Sequence, residues 1–167
     1  MKNFFLLFLA VSITGNAQDL SSGNSVKKEI NHTLNQWHKA AATANFDAYF
    51  NLMTKDAVFI GTDASENWQN EEFRKFSKPY FDKGKAWDFK VLERNIYLGE
   101  NGKYSWFDEL LDTQMGICRG SGVLENNNGE WKIKHYVLSI SIPNENVEEV
   151  TRLKKSFDTR LRLKLGN

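Results

Sequence analysis

The sequence is short of several things at once. A single cysteine, Cys118, excludes an intrachain disulfide and any multi-cysteine zinc or iron–sulfur cage. Net charge is nearly absent, with 22 Lys and Arg against 21 Asp and Glu for a formal +1. That balance gives neither a basic field for nucleic acid nor an acidic tail for a basic partner. Proline occurs twice. Pro79 should end or kink a helix near Lys78, and Pro143 should stop a strand. There is no HExxH, no EF-hand loop, no Gly-rich phosphate loop and no GxSxG. His32 and His38 fall about 240° apart on a helix and so do not share a face for a metal. No metal and no cofactor is expected.

Aromatics are what the chain has in excess: 12 Phe, 5 Trp and 5 Tyr. Rings in that number need a core, a pocket or an interface. Hydrophobic residues at 41% and charged residues at 26% fit a single globular domain rather than a disordered chain.

Residues 1–17 read as a secretory signal. Lys2 precedes the apolar run Phe4 to Ile13, and Gly15-Asn16-Ala17 supplies small residues for cleavage. The run is shorter than the roughly 20 apolar residues a membrane span needs. Cleavage after Ala17 leaves 150 residues at net charge zero and removes no Trp or Tyr. The expected location is secreted or periplasmic. Residues 18–24, rich in Ser, Gly and Asn, read as a flexible leader.

From Ser25, a candidate N-cap, the positions Val26, Ile30, Leu34, Trp37, Ala41 and Ala44 form one helical stripe. Asn45 can cap a short helix over Phe46 to Met53, and Ala57 to Ile60 reads as a strand. A further helix begins at Asn70, with Glu71 and Glu72 well placed against its dipole. Trp87–Leu98, Tyr104–Asp112, Ile117–Leu124 and Trp131–Ile142 read as strands joined by short turns, Asn128-Gly129 being a hairpin signal. Val147, Val150, Leu153, Phe157 and Leu161 then mark an amphipathic helix with a basic exposed face. Helices grouped before a meander imply an α+β fold with helices over one face of a curved sheet.

This order resembles the nuclear-transport-factor-2-like, SnoaL-like cone fold. Trp37-His38-Lys39-Ala40-Ala41 and Phe46-Asp47-Ala48-Tyr49-Phe50 are similar to that family's opening helices. Gly61-Thr62-Asp63, continuing to Glu66 and Trp68, resembles the GTD-x-x-E-x-W signature of a secreted branch. Trp106 to Leu110, Cys118 to Leu124 and Trp131-Lys132-Ile133 resemble its sheet strands. The resemblance implies a conical domain over 25–144, a curved antiparallel sheet around the helices, an apolar pocket, and dimerisation through the outer sheet face. Residues 145–167 are an added C-terminal basic amphipathic helix. Such folds host many chemistries as well as plain binding modules.

Strand alternation sorts the polar groups. With two-residue turns at Gln114-Met115 and Asn128-Gly129, the inner face reads Phe107, Glu109, Leu111, Cys118, Leu124, Trp131, Ile133, His135 and Val137. Glu109 and His135 are then a candidate acid–base pair, with Asp63 in reserve. A one-residue change in either turn would bring Asp108 and Arg119 inward instead; otherwise those two form an ion pair on the outer face. Trp37, Tyr49, Trp68, Trp87, Phe107 and Cys118 are candidate walls of a ligand pocket. Two functions stand: binding of a small, mostly apolar organic molecule with cofactor-free acid–base chemistry, or a non-catalytic homodimeric module whose cone is plugged. No nucleic-acid partner and no membrane contact is expected.

Overall fold

The computed structural model describes residues 15–166, with side chains from Gly23 onward. Most of the expected signal segment, residues 1–14, lies outside the described residues. Helix α1 (Gly15–Ala42) starts well before the cap expected at Ser25 and takes in the stretch expected as a leader. No proline interrupts that stretch, so the low propensity of its Ser, Gly and Asn residues is the only local opposition to helix. The stripe of α1 is buried at Ile30, Leu34, Trp37 and Ala41. Helix α2 (Phe46–Asn51) is capped by Asn45, whose side chain accepts the Ala48 N–H at 3.1 Å.

Strand β1 (Met53–Ile60) is followed by the short β2 (Asn67–Gln69) and helix α3 (Asn70–Asp82). Glu72 reaches back to accept the Gln69 N–H, completing a capping box at the α3 start. Asn70 donates to the Thr54 carbonyl at 2.7 Å and ties α3 to β1. Pro79 does not end α3, which continues to Asp82. So near the C-terminus the missing N–H frees only one carbonyl, on exposed Lys75.

Strands β3 (Lys90–Leu98), β4 (Tyr104–Thr113), β5 (Gly116–Asn127) and β6 (Glu130–Ile140) complete one six-stranded sheet in the order β2-β1-β6-β5-β4-β3. A 3-10 turn (Asn144–Asn146) leads into α4 (Val147–Lys164). The meander β3 to β6 is antiparallel as expected, and β1 joins it by running parallel to β6. The other neighbours are joined by local connections, whereas the chain between β1 and β6 holds every other strand, so no hairpin dictates their direction.

Both two-residue turns are present. Thr113 pairs with Gly116, and Asn127 pairs with Glu130. Asn128 and Gly129 have φ of 55° and 94°, the left-handed pair that a right-twisted hairpin needs. Phe107, Glu109 and Leu111 therefore lie opposite Gly122, Gly120 and Cys118, all facing the helices.

The alternation then breaks once. Val123 pairs with His135 but Leu124 pairs with Ile133, so Lys134 is an extra residue in β6. One inserted residue swaps the faces of everything beyond it. Trp131 and Ile133 are buried as expected, but past the bulge Tyr136 and Leu138 turn inward. His135 and Val137 turn outward, so the expected inner-face position of His135 is corrected.

Inside the cone the aromatics pack against one another. Trp37 stacks on Tyr49 and meets Tyr136 edge-on, each with centroids 4.8 Å apart. Phe59 stacks on Phe73 at 4.0 Å. These rings fill the middle of the cone.

Candidate functional site

Two carboxylates on the helix-facing side stand in different surroundings, and the first is Glu109. It is fully buried on β4. Its Oε1 lies 2.8 Å from His38 Nε2 and accepts the Tyr136 hydroxyl at 3.0 Å. Its Oε2 accepts Arg94 Nε at 2.8 Å, with Arg94 Nη2 2.7 Å away. Arg94 is itself braced: its Nη1 donates to Asn31 Oδ1 and Asn35 Oδ1 at 2.8 and 2.7 Å. Four elements thus meet at one carboxylate, α1 through His38, β3 through Arg94, β6 through Tyr136 and β4 itself. Gly120 sits across from Glu109, where any Cβ would collide with the Tyr136 hydroxyl and crowd Glu109 Oε1.

Burial pushes the Glu109 carboxyl up, but the hydrogen bond and charge of His38 and the charge of Arg94 outweigh it and hold the group below its ordinary value. Burial first, and then the neighbouring Glu109 charge, push the Tyr136 hydroxyl well above its ordinary value. Glu109 therefore stays charged and its neighbouring phenol stays neutral. With no exposed surface, Glu109 lines none of the four cavities described for this chain. His38 and Arg94 each reach a separate groove along α1, on either side of the cluster.

The second carboxylate is Glu66, in the loop between β1 and β2. Its backbone closes a turn: Gly61 N–H donates to the Glu66 carbonyl, and Glu66 N–H donates to the Asp63 carbonyl, both at 2.9 Å. The side chain folds back over Gly61, where a Cβ would strike Oε2. That same oxygen accepts the Asp63 N–H at 3.1 Å. Asp63 points away, accepting the Ser65 N–H and hydroxyl at 2.8 and 2.5 Å. Those bonds hold its exposed carboxyl below the ordinary range. The Gly61, Asp63, Glu66 and Trp68 spacing thus has a physical meaning. The glycine makes room for the carboxylate, the Asp63 backbone anchors it, and Trp68 walls it.

Glu66 lines a pocket of about 130 Å³. Phe59, Trp68, Phe73, Phe76, Trp87 and Phe89 form its walls, with Met115 and Leu138 at one side. Trp68 stacks on Phe76 at 4.3 Å and on Phe73 at 5.6 Å. Glu66 is the only titratable side chain among the described lining residues. A larger groove of about 810 Å³ runs past Lys28, Glu29, His32, Glu130 and Lys132. Its rim of charged, mostly exposed side chains is surface relief rather than a built site.

Of the expected pocket walls, Trp68 and Trp87 line the aromatic pocket. Trp37, Tyr49, Phe107 and Cys118 are buried in the packing beneath it. Glu109 faces inward as expected, but His135 is not its partner. Asp108 and Arg119 lie on the outer face, 3.8 Å apart. His38, Arg94 and Tyr136 are not among the residues expected from the sequence, although the first two carry a signal. His38 continues the Ile30 and Leu34 spacing of α1, and Arg94 alternates with Ile96 and Leu98. Among the described residues, no three His, Cys, Asp or Glu side chains gather as metal ligands, and no helix is long and apolar enough to cross a membrane.

The model of a family described as the SnoaL-like domain matches residues 30–143. No curated protein matches the chain. Among solved structures, an NTF2-like protein of unknown function from Pseudomonas putida KT2440 superposes with a TM-score of 0.61 at 12% identity, over 74% of this chain and 92% of that one. A putative dehydratase from the NTF2-like family of Streptomyces avermitilis gives 0.63 at 8% identity, over 72% and 99%. The association domain of C. elegans CaMKII gives 0.59 at 19% identity, over 72% and 99%. Identities this low establish the shared cone fold alone.

Proposed function

The chain belongs to the SnoaL-like family, and from that premise we propose that it binds a small aromatic molecule in the pocket beside Glu66. The observation that carries this reading is a ring-lined cavity holding one carboxylate, itself anchored by a backbone N–H. A volume of about 130 Å³ is of the order of the roughly 150 Å³ cavity that takes up benzene, so a single ring sets the size of the ligand. An ionised carboxylate only accepts hydrogen bonds, so the ligand should present a hydroxyl or an N–H toward Glu66. Phenols and arylamines meet both conditions.

Cofactor-free acid–base chemistry enters this reading only through Glu66, which a ligand in the pocket would touch. Glu109 serves the fold beneath the pocket floor, where its partners occupy its oxygens. The secreted or periplasmic setting is part of the proposal and rests on residues 1–17 of the sequence.

Titrating the protein with phenols and arylamines while following tryptophan fluorescence tests the reading, because Trp68 and Trp87 form the walls. Saturable quenching is expected. Glu66→Gln and Trp68→Ala should each weaken it at least about tenfold, the scale of one lost charge-assisted hydrogen bond or one buried ring. A panel without a binder, together with no co-purifying small molecule in native mass spectra, would sink the proposal.

A further inference from the structure

The braced cluster around Glu109 leaves one ring nitrogen unused. Glu109 is ionised, and a carboxylate only accepts hydrogen bonds, so the 2.8 Å contact puts a proton on His38 Nε2. In the neutral ring the other nitrogen, Nδ1, then presents a lone pair. Among the described residues no group bonds to it. The arrangement is fixed from behind: Arg94 and Tyr136 hold the carboxylate, and the carboxylate holds the ring. A carboxylate set behind an imidazole in this way sets both its tautomer and its orientation. His38 keeps 6% of its surface, and that edge lines a groove of about 400 Å³ between α1 and the start of β3.

The groove and the aromatic pocket share a wall. Phe89 lines both. Its ring meets His38 edge-on with centroids 6.1 Å apart, the spacing of rings in contact, so a ligand atom standing in its place would touch the imidazole. Phe89 is half-buried, and residues 85–89 belong to no helix or strand, so neither kind of element pins the ring. Two acceptors therefore lie on either side of one side chain, the Glu66 carboxylate and His38 Nδ1.

We propose that the pocket and the groove are two ends of one ligand site, joined when the Phe89 ring is displaced, with His38 Nδ1 accepting a hydrogen bond from the far end of the ligand. This rests on the aromatic pocket being the ligand site, and it narrows the ligand to a chemical class. The ring carries a hydroxyl or N–H for Glu66 and a second donor on a short saturated arm for His38. Hydroxyaryl alkanols and hydroxyaryl alkylamines meet both conditions. An arm ending in a carbonyl or carboxylate is rejected, because it brings acceptor against acceptor and Glu109 keeps the ring from switching tautomer to meet it. Glu109 is a positioning residue, acting through the imidazole without touching the ligand.

The test compares two ligands of one shape, para-hydroxyethylphenol and para-propylphenol, which differ by a terminal hydroxyl against a methyl. The native protein should bind the first about fivefold more tightly, the scale of one net hydrogen bond. His38→Gln, which keeps a donor for Glu109 and removes the ring nitrogen, should bring that ratio to about one. Phe89→Leu puts a smaller side chain in the way and should widen it. Nitrogen-15 spectra of the histidine rings read the contact directly. The Nδ1 signal of His38, assigned by its loss in His38→Gln, should be that of an unprotonated nitrogen. It should shift with para-hydroxyethylphenol and stay in place with para-propylphenol. In Glu109→Gln, whose amide can donate as well as accept, the signal should move to that of mixed tautomers. Failure of phenol itself to bind overturns the Glu66 reading and this inference with it. Phenol binding with a native ratio near one overturns this inference alone. So does a His38 Nδ1 that carries the proton, or that the hydroxyethyl ligand leaves unmoved, which would be a ring that only braces the fold.

Discussion

Glu109 and Glu66 are both glutamates on the helix-facing side of the same sheet, yet they have opposite chemical situations. Glu109 has no exposed surface and side-chain partners on both oxygens, including a guanidinium. Glu66 is half-buried, has one backbone donor, and opens onto a cavity. A buried carboxylate is tolerable only when paired and hydrogen-bonded, and that pairing is what closes it to a ligand. The carboxylate with unused acceptor capacity is the one free to recognise something. Charge burial marks where the fold is cross-braced, and incomplete satisfaction marks where it can bind.

The sharpest way to break this comparison is to delete each carboxylate. Glu109→Ala leaves Arg94 and His38 buried beside a missing partner. Removing one member of a buried ion pair costs about 3–5 kcal/mol, so urea denaturation should show a loss on that scale. Glu66→Ala should cost less than about 1 kcal/mol, because its one partner is an exposed N–H, while abolishing ligand binding. Equal losses of stability would dissolve the distinction.

The two glycines facing these carboxylates sharpen it further. Gly120→Ala would drive a Cβ into the Tyr136 hydroxyl and Glu109, with backbone and core on every side. Overpacking of this kind costs about 1–3 kcal/mol. At Gly61 the atom in the way is the free end of Glu66, which can swing off. Gly61→Ala should therefore keep most of the stability and lose affinity. Differential scanning calorimetry and the fluorescence titration together read both effects.

Acid tests the braced carboxylate by itself. Because the folded-state value of Glu109 lies below the ordinary 4.5, its ionisation favours the folded state. That contribution is complete above the unfolded value and drains away as pH falls from there through the depressed folded value. The stability advantage of the native protein over Glu109→Gln should shrink over that window, as seen in urea midpoints.

How this division could be read from the sequence depends on the element. The turns Gln114-Met115 and Asn128-Gly129 are chemically distinctive, and two-residue loops leave no freedom of register, so the inward aim of Glu109 was legible. The parallel pairing of β1 with β6 was not, because it joins segments that share no turn. The motif over Gly61 to Trp68 announced itself, but whether Asp63 or Glu66 faced the rings is decided by a turn of four backbone groups that side-chain type does not encode. The bulge at Lys134 left no local mark. Trp131, Ile133, His135 and Val137 alternate without a flaw, and so do Tyr136 and Leu138 after a one-residue slip.

That bulge supplies the smallest expected effect and a strict check on the register. If His135 faced inward, replacing it would disturb a buried polar contact with Glu109 and cost roughly 1–3 kcal/mol. Outward, beside Val123 and Val58 in the pairing register, it touches neither Glu109 nor the aromatic pocket. His135→Ala should then move the unfolding free energy by no more than about 0.5 kcal/mol and leave ligand affinity alone. His38→Ala, which removes the actual neighbour of Glu109, should cost several times as much. The contrast between the two histidines is what the extra residue in β6 produces, and a reversed order of effects would place the bulge elsewhere.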